Sequence, residues 1–132
     1  MALVAARTSD SNACATEQLT TIPDLAGIKF ETTYTSCDTL VKTEAVSVYA
    51  SRAAAGGESW LSRWRNRKAL LFRYDPGRWD NPPPSIRVAG KGRIVISIPQ
   101  VSSVMFQSRR WRDVSIDYDI GRIGPPLRPP AP

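Results

Sequence analysis

Histidine is absent from this chain of 132 residues. Its absence removes zinc sites of the Cys₂His₂ and His₃ kinds, serine or cysteine nucleophiles activated by imidazole, and histidine pH switches. Cysteine is scarce: Cys14 and Cys37 are too few to hold a metal unaided. Long apolar runs are missing as well. The longest, around Ala69–Phe72 and Ile94–Ile96, reach about five residues, against the roughly 20 of a membrane-crossing helix. No cofactor, metal or catalytic constellation is legible, and the expectation is a non-enzymatic protein.

The first residues, Met1 to Ala6, form an apolar patch shorter than the hydrophobic region of a secretory signal. As given, the chain reads as cytoplasmic; a start further upstream would place it in the cell envelope or periplasm. Cys14, preceded by Ser11, Asn12 and Ala13, sits at the depth of a lipoprotein cleavage site. Ser11 and Asn12 stand where such a site needs apolar residues. Cys14 and Cys37 leave two readings open. One is a disulfide closing a loop of about 20-odd residues and contributing roughly 3 kcal/mol. The other, favoured by a reducing compartment, is two unpaired thiols with Cys37 buried.

What the chain does have is a globular composition, 42% hydrophobic and 23% charged, with a net charge of +6. One core, and so one domain, fits this length. Charge is uneven. Up to Ser51 three basic residues face six acidic ones; from Arg52 onward fifteen face six. Proline gathers at Pro82, Pro83 and Pro84 and again from Pro125 to Pro132. The expected organisation is a poorly ordered segment over 1–24, a β domain over 25–122 and an extended proline-rich tail over 123–132.

Period-two alternation dominates the middle of the chain. Ile28, Phe30 and Tyr34 alternate with polar residues, and Ala45–Ala50 repeats the pattern after a polar turn at Cys37–Thr39, which predicts a hairpin. Ala69–Tyr74 ends at Asp75, Pro76 and Gly77, a turn sequence. Ser85–Ala89 and Arg93–Ile98 flank Gly90, Lys91 and Gly92, a second hairpin signal. Val101–Gln107 reads as a further strand or an irregular edge after Pro99. In Asp113–Ile120, residues Val114, Ile116, Tyr118 and Ile120 share one face. Two segments are helical candidates, Thr16–Ala26 and Ser59–Lys68. Six or seven short strands with turns between them predict a mainly β, single antiparallel sandwich or partly open barrel, with at most one or two short helices.

Asp113, Asp117 and Asp119 read as a solvated strand face, because no glycine-bearing calcium loop surrounds them and nothing separates their pKa values. Gly90–Gly92 lacks the remaining glycine and the helix of a phosphate-binding loop. The stronger signal is basic and aromatic residues interleaved twice, in Arg63, Trp64, Arg65, Arg67 and Lys68 and in Arg109, Arg110, Trp111 and Arg112. Arginine neutralises phosphates and tryptophan stacks on bases, so these residues are the candidate nucleic-acid or polyanion site. The competing reading buries the tryptophans beneath the sheet, most of all Trp111, which precedes the last strand; a protein partner is the further alternative. The two readings part on whether both clusters lie on one face.

Phe30 and Glu31, Ser36 and Cys37, Val46–Tyr49, Arg93–Ile98 and Trp111–Tyr118 together resemble a set of small bacterial β-rich proteins, often lipoproteins. The resemblance spans roughly residues 28–120. It implies the fold class and nothing about mechanism; the function expected of the chain is that of a non-enzymatic β domain acting as a binding or envelope-associated accessory module.

Overall fold

The computed structural model describes residues 14–38, 42–53, 67–77 and 81–124. Nine strands run through them: β1 (Cys14–Leu25), β2 (Ile28–Asp38), β3 (Lys42–Arg52), β4 (Ala69–Asp75), β5 (Ser85–Gly90), β6 (Arg93–Ile98), β7 (Ser103–Gln107), β8 (Arg110–Trp111) and β9 (Val114–Ile120). They form two sheets, ordered β1-β2-β3-β4-β7 and β5-β6-β9-β8. No helix occurs among the described residues. This is the expected β sandwich with more strands than the sequence announces.

The core lies between the inward-facing residues of the sheets. Phe30, Val46, Val48, Phe72 and Tyr74 of the first sheet meet Ile94, Ile96, Ile98 and Ile116 of the second. Register explains the selection. Phe30 pairs with Ala50, Thr32 with Val48 and Tyr34 with Val46, and the last two rows continue into β4 as Phe72 and Tyr74. Each step of two along a strand returns a side chain to the same face, so one apolar row per strand is enough. Phe72 packs its ring against both Tyr74 and Tyr118, with centroids 5.0 and 4.8 Å away.

Tyr118 also ties the sheets together through its hydroxyl, whose single proton is shared between the carbonyls of Leu71 (3.0 Å) and Ser108 (2.6 Å). Burial pushes the Tyr118 phenol up to about 12.

Residues 14–24, expected to lead in without order, form most of β1, and Thr16–Ala26 is not helical. Leu19, Ile22 and Leu25 suggest helical spacing only because two irregularities, between Gln18 and Thr20 and between Ile22 and Leu25, interrupt the alternation. Pro23 is tolerated because β1 is an edge strand and needs no donor on its outer side. β1 turns into β2 through Ala26 (φ 55°) and Gly27 (φ 82°), the pair of left-handed residues of a two-residue hairpin loop. Asp24 Oδ1 accepts the Gly27 N–H at 2.8 Å.

One pairing departs from the antiparallel expectation. β6 and β9 run parallel, with Ile94 opposite Ile116 and Ile96 opposite Tyr118. Between them the chain crosses to the first sheet as β7 and returns as β8, a long connection of the kind that parallel pairing requires. At the far end of the pair, Gly121 donates to Ile98 at 3.0 Å. A Cβ there would sit 2.5 Å from the Pro99 carbonyl oxygen, so glycine is needed for the approach. Ile123 and Gly124, placed by sequence in the tail, are held by a bridge to Val101 and a 2.9 Å hydrogen bond to its carbonyl. Residues 1–13, the tail from 125, and 59–66 of the second helical candidate lie outside the described residues.

Candidate functional site

β4 places two different environments at its two ends. At its start, Ala69 pairs with Ala50, so Arg67 and Lys68 lie beside Arg52 at the end of β3. Ser108 donates to the Leu71 carbonyl at 2.7 Å, which brings Arg109 and Arg110 to the same end. Arg110 and Arg93 then flank Ser115 from either side in one register row. Lys91, in the β5–β6 turn, lies on this end too, because Ser115 donates to Gly92 at 2.8 Å. The described members of both basic clusters therefore converge, although Arg67 and Arg109 are far apart in sequence.

Lys91, Arg109 and Arg110 are exposed. Lys68 places its ammonium 4.8 Å from the centroid of Tyr49. Arg93 pairs with Asp117, whose carboxylate raises the guanidinium pKa further. Arg112 takes a left-handed φ of 57° and lies 4.9 Å over the Trp111 ring. Trp111 is half-buried and packs against the core cluster. This is the inward packing expected of Trp111, with the half-buried ring against the core and Arg112 over it. Arg63, Trp64 and Arg65 lie outside the described residues.

At the other end of β4 a single register row crosses four strands: Glu17 of β1, Tyr34 of β2, Val46 of β3 and Tyr74 of β4. With Leu19, Pro76, Asn81 and Pro83 these line a cleft of about 310 Å³. Pro76, Asn81 and Pro83 belong to the β4–β5 connection, and Asn81 Nδ2 donates to the Pro76 carbonyl at 2.9 Å. Tyr34 is raised by burial and then by the hydrogen bond and charge of Glu44, with Glu17 adding a smaller part. Tyr74 is 1% exposed, and burial raises its pKa well above that of a free phenol.

Cys14 and Cys37 form a disulfide across the β1–β2 pair close to this cleft, spanning 23 positions. The reading with two unpaired thiols is thereby overturned, and Cys37 is half-buried rather than enclosed. The two cysteines are directly opposed in the antiparallel register, which brings their Cα atoms to 4.0 Å.

Nothing in the sequence marked Glu17, Tyr34, Tyr74 and Asn81 as a group, for they come from separate strands and a loop. The one signal was the density of prolines before β5, which is the composition of a fixed connection. Asp117 and Asp119 do lie on the outer face of β9, apart from the cleft. Among the described residues no group of three or more His, Cys, Asp or Glu could hold a metal ion, and no helix is long and apolar enough to cross a membrane. Comparison with family models, curated proteins and solved structures returns no match to the chain.

Proposed function

We propose that this protein is a non-enzymatic binding module, stabilised by a disulfide, that uses its basic end to engage an acidic polymer in an oxidising compartment such as the cell envelope. The convergence of Lys68, Lys91, Arg109 and Arg110 from three separate loops or strands carries the reading. Charges that meet at one end act together on a polyanion, and each phosphate or sulfate contact releases condensed counterions. With Trp111 partly packed inward, the attraction offered by the described residues is mainly electrostatic. That favours sulfated or phosphate-rich polymers over single-stranded nucleic acid. The Cys14–Cys37 bond supports the compartment, since such bonds persist where thiols are not kept reduced.

The test is heparin affinity against salt, beside single-stranded DNA. The expected result is a linear fall of log affinity with log salt, whose slope shrinks by about one for each of Lys68→Ala, Arg109→Ala and Arg110→Ala that removes a phosphate or sulfate contact. Binding that is insensitive to salt, or untouched in the triple variant, would overturn the proposal.

A further inference from the structure

We propose that the cleft at the other end of β4 binds a small organic cation carrying an alkylated ammonium group. The site is independent of the basic end. β4 separates them by seven residues, Ala69 to Asp75.

Three features of the cleft select the ligand. Its volume of about 310 Å³ suits a small molecule and lies at the low end of ligand pockets. Its described lining contains one carboxylate, Glu17, and no lysine or arginine. Glu44 hydrogen-bonds Tyr34 and is itself paired with Lys42 at 3.8 Å, so Glu17 is the unpaired carboxylate of the described lining. In a protein of net charge +6, the described lining of this cleft carries a negative charge.

Tyr34, half-buried, adds a phenol ring to the lining, and such rings attract alkylated ammonium groups, while Tyr74, 1% exposed, packs its ring against Phe72. Tyr74 and Asn81 bring polar groups to the lining, and Asn81, with its amide nitrogen engaged, keeps its carbonyl oxygen as an acceptor. An anion would meet the field of Glu17. A wholly apolar ligand would leave Glu17 desolvated without compensation. A compact cation with an apolar skin and one polar group satisfies every wall: Leu19, Val46 and the prolines take the alkyl groups, Glu17 takes the charge, and Tyr74 takes the polar group.

The position of Glu17 follows from the fold. The extra residue Leu19 sits in a β-bulge just after it, and bulges re-aim neighbouring side chains. Tyr34, directly opposite Glu17, is the point at which the carboxylate enters the row.

Choline chloride and its neutral isostere 3,3-dimethylbutan-1-ol make the decisive pair of probes, titrated into the full chain at matched ionic strength while amide chemical shifts are followed. Saturable shifts are expected for choline at Val46, Tyr74 and Asn81, with binding about tenfold tighter than for the neutral alcohol. Glu17→Gln, at an exposed position, should weaken choline at least about fivefold and leave the alcohol unchanged. Tyr74→Phe, which keeps the ring, should weaken both through the lost hydroxyl. Equal affinity for the two probes, no saturable shift with choline, or an unaffected Glu17→Gln variant would overturn the proposal. Heparin binding by the same samples reports separately on the basic end.

Discussion

The two ends of the sandwich are built from the same strands and finish differently. At the basic end the gap between the sheets is plugged: Trp111 packs against the core, and the Tyr118 hydroxyl links β9 to the Leu71 and Ser108 carbonyls. There, charge is carried outward on turns and strand ends. At the cleft end β2 and β3, each 11 residues long, outrun the six- and seven-residue strands of the second sheet. Among the described residues no plug of that size fills the overhang. Residues of the proline-rich β4–β5 connection line it, and polar groups line a hollow instead of protruding. A sandwich end thus becomes a charged surface or a pocket according to whether a large side chain closes it.

The largest expected effect breaks the cleft end alone. Replacing Cys14 and Cys37 together by serine should lower stability by about 3 kcal/mol, as expected for a closed loop of this length, and thermal unfolding would read it. Amide exchange should then speed up in β1 and the cleft, while salt-dependent heparin binding stays. A loss confined to β8 and β9 would contradict the division into two ends.

A slightly smaller effect should come from the plug. Trp111→Ala is expected to cost about 2–3 kcal/mol, less than a fully buried tryptophan because the ring is only half-buried. Heparin affinity of the folded fraction should be unaltered. If stability is kept and polyanion affinity falls, Trp111 is a contact residue and the end is not plugged by it.

The smallest effect belongs to one hydroxyl. Tyr118→Phe keeps the ring on Phe72 and removes the tie between the sheets, at a cost of about 1–2 kcal/mol. It also has a pH signature. The Tyr118 pKa is raised from 10.0 to about 12 in the fold, so the neutral phenol is favoured by folding. Its contribution is complete below 10.0 and is lost as pH rises through about 12. Tyr74, raised for the same reason of burial, adds to the alkaline loss. Denaturation curves across this window should be shallower in pH for Tyr118→Phe than for the parent chain.

Much of the fold was legible where alternation ran without interruption. Val114–Ile120, Ala45–Ala50 and Arg93–Ile98 are strands because one apolar row per strand suffices, and the glycine turn at Gly92 (φ 69°) closes its hairpin as expected. β1 was hidden because its bulges shift the phase of the pattern, which a period-two reading cannot follow. The parallel pairing of β6 with β9 was hidden for a different reason: nothing local distinguishes a strand's direction relative to a distant neighbour. The basic residues were visible as clusters, and their convergence depends on the pairing of Phe72 with Gln107, a tertiary fact. The cleft was not legible at all, since its lining is scattered from Glu17 to Pro83 and joined only by register.

The excursion of the chain between β6 and β9 bears on how the molecule assembles. β7 completes the edge of one sheet while the segments before and after it belong to the other. Neither sheet can be finished on its own, because the parallel partners Ile94 and Ile116 meet only when the intervening stretch has been laid against β4. Contacts this distant in sequence require loop closure before they return any stabilisation, which slows the search and makes its last steps concerted. The two halves of the sandwich are therefore one kinetic unit: the chain crosses between them as a stitch does, and a cut within residues 99–113 unfastens both.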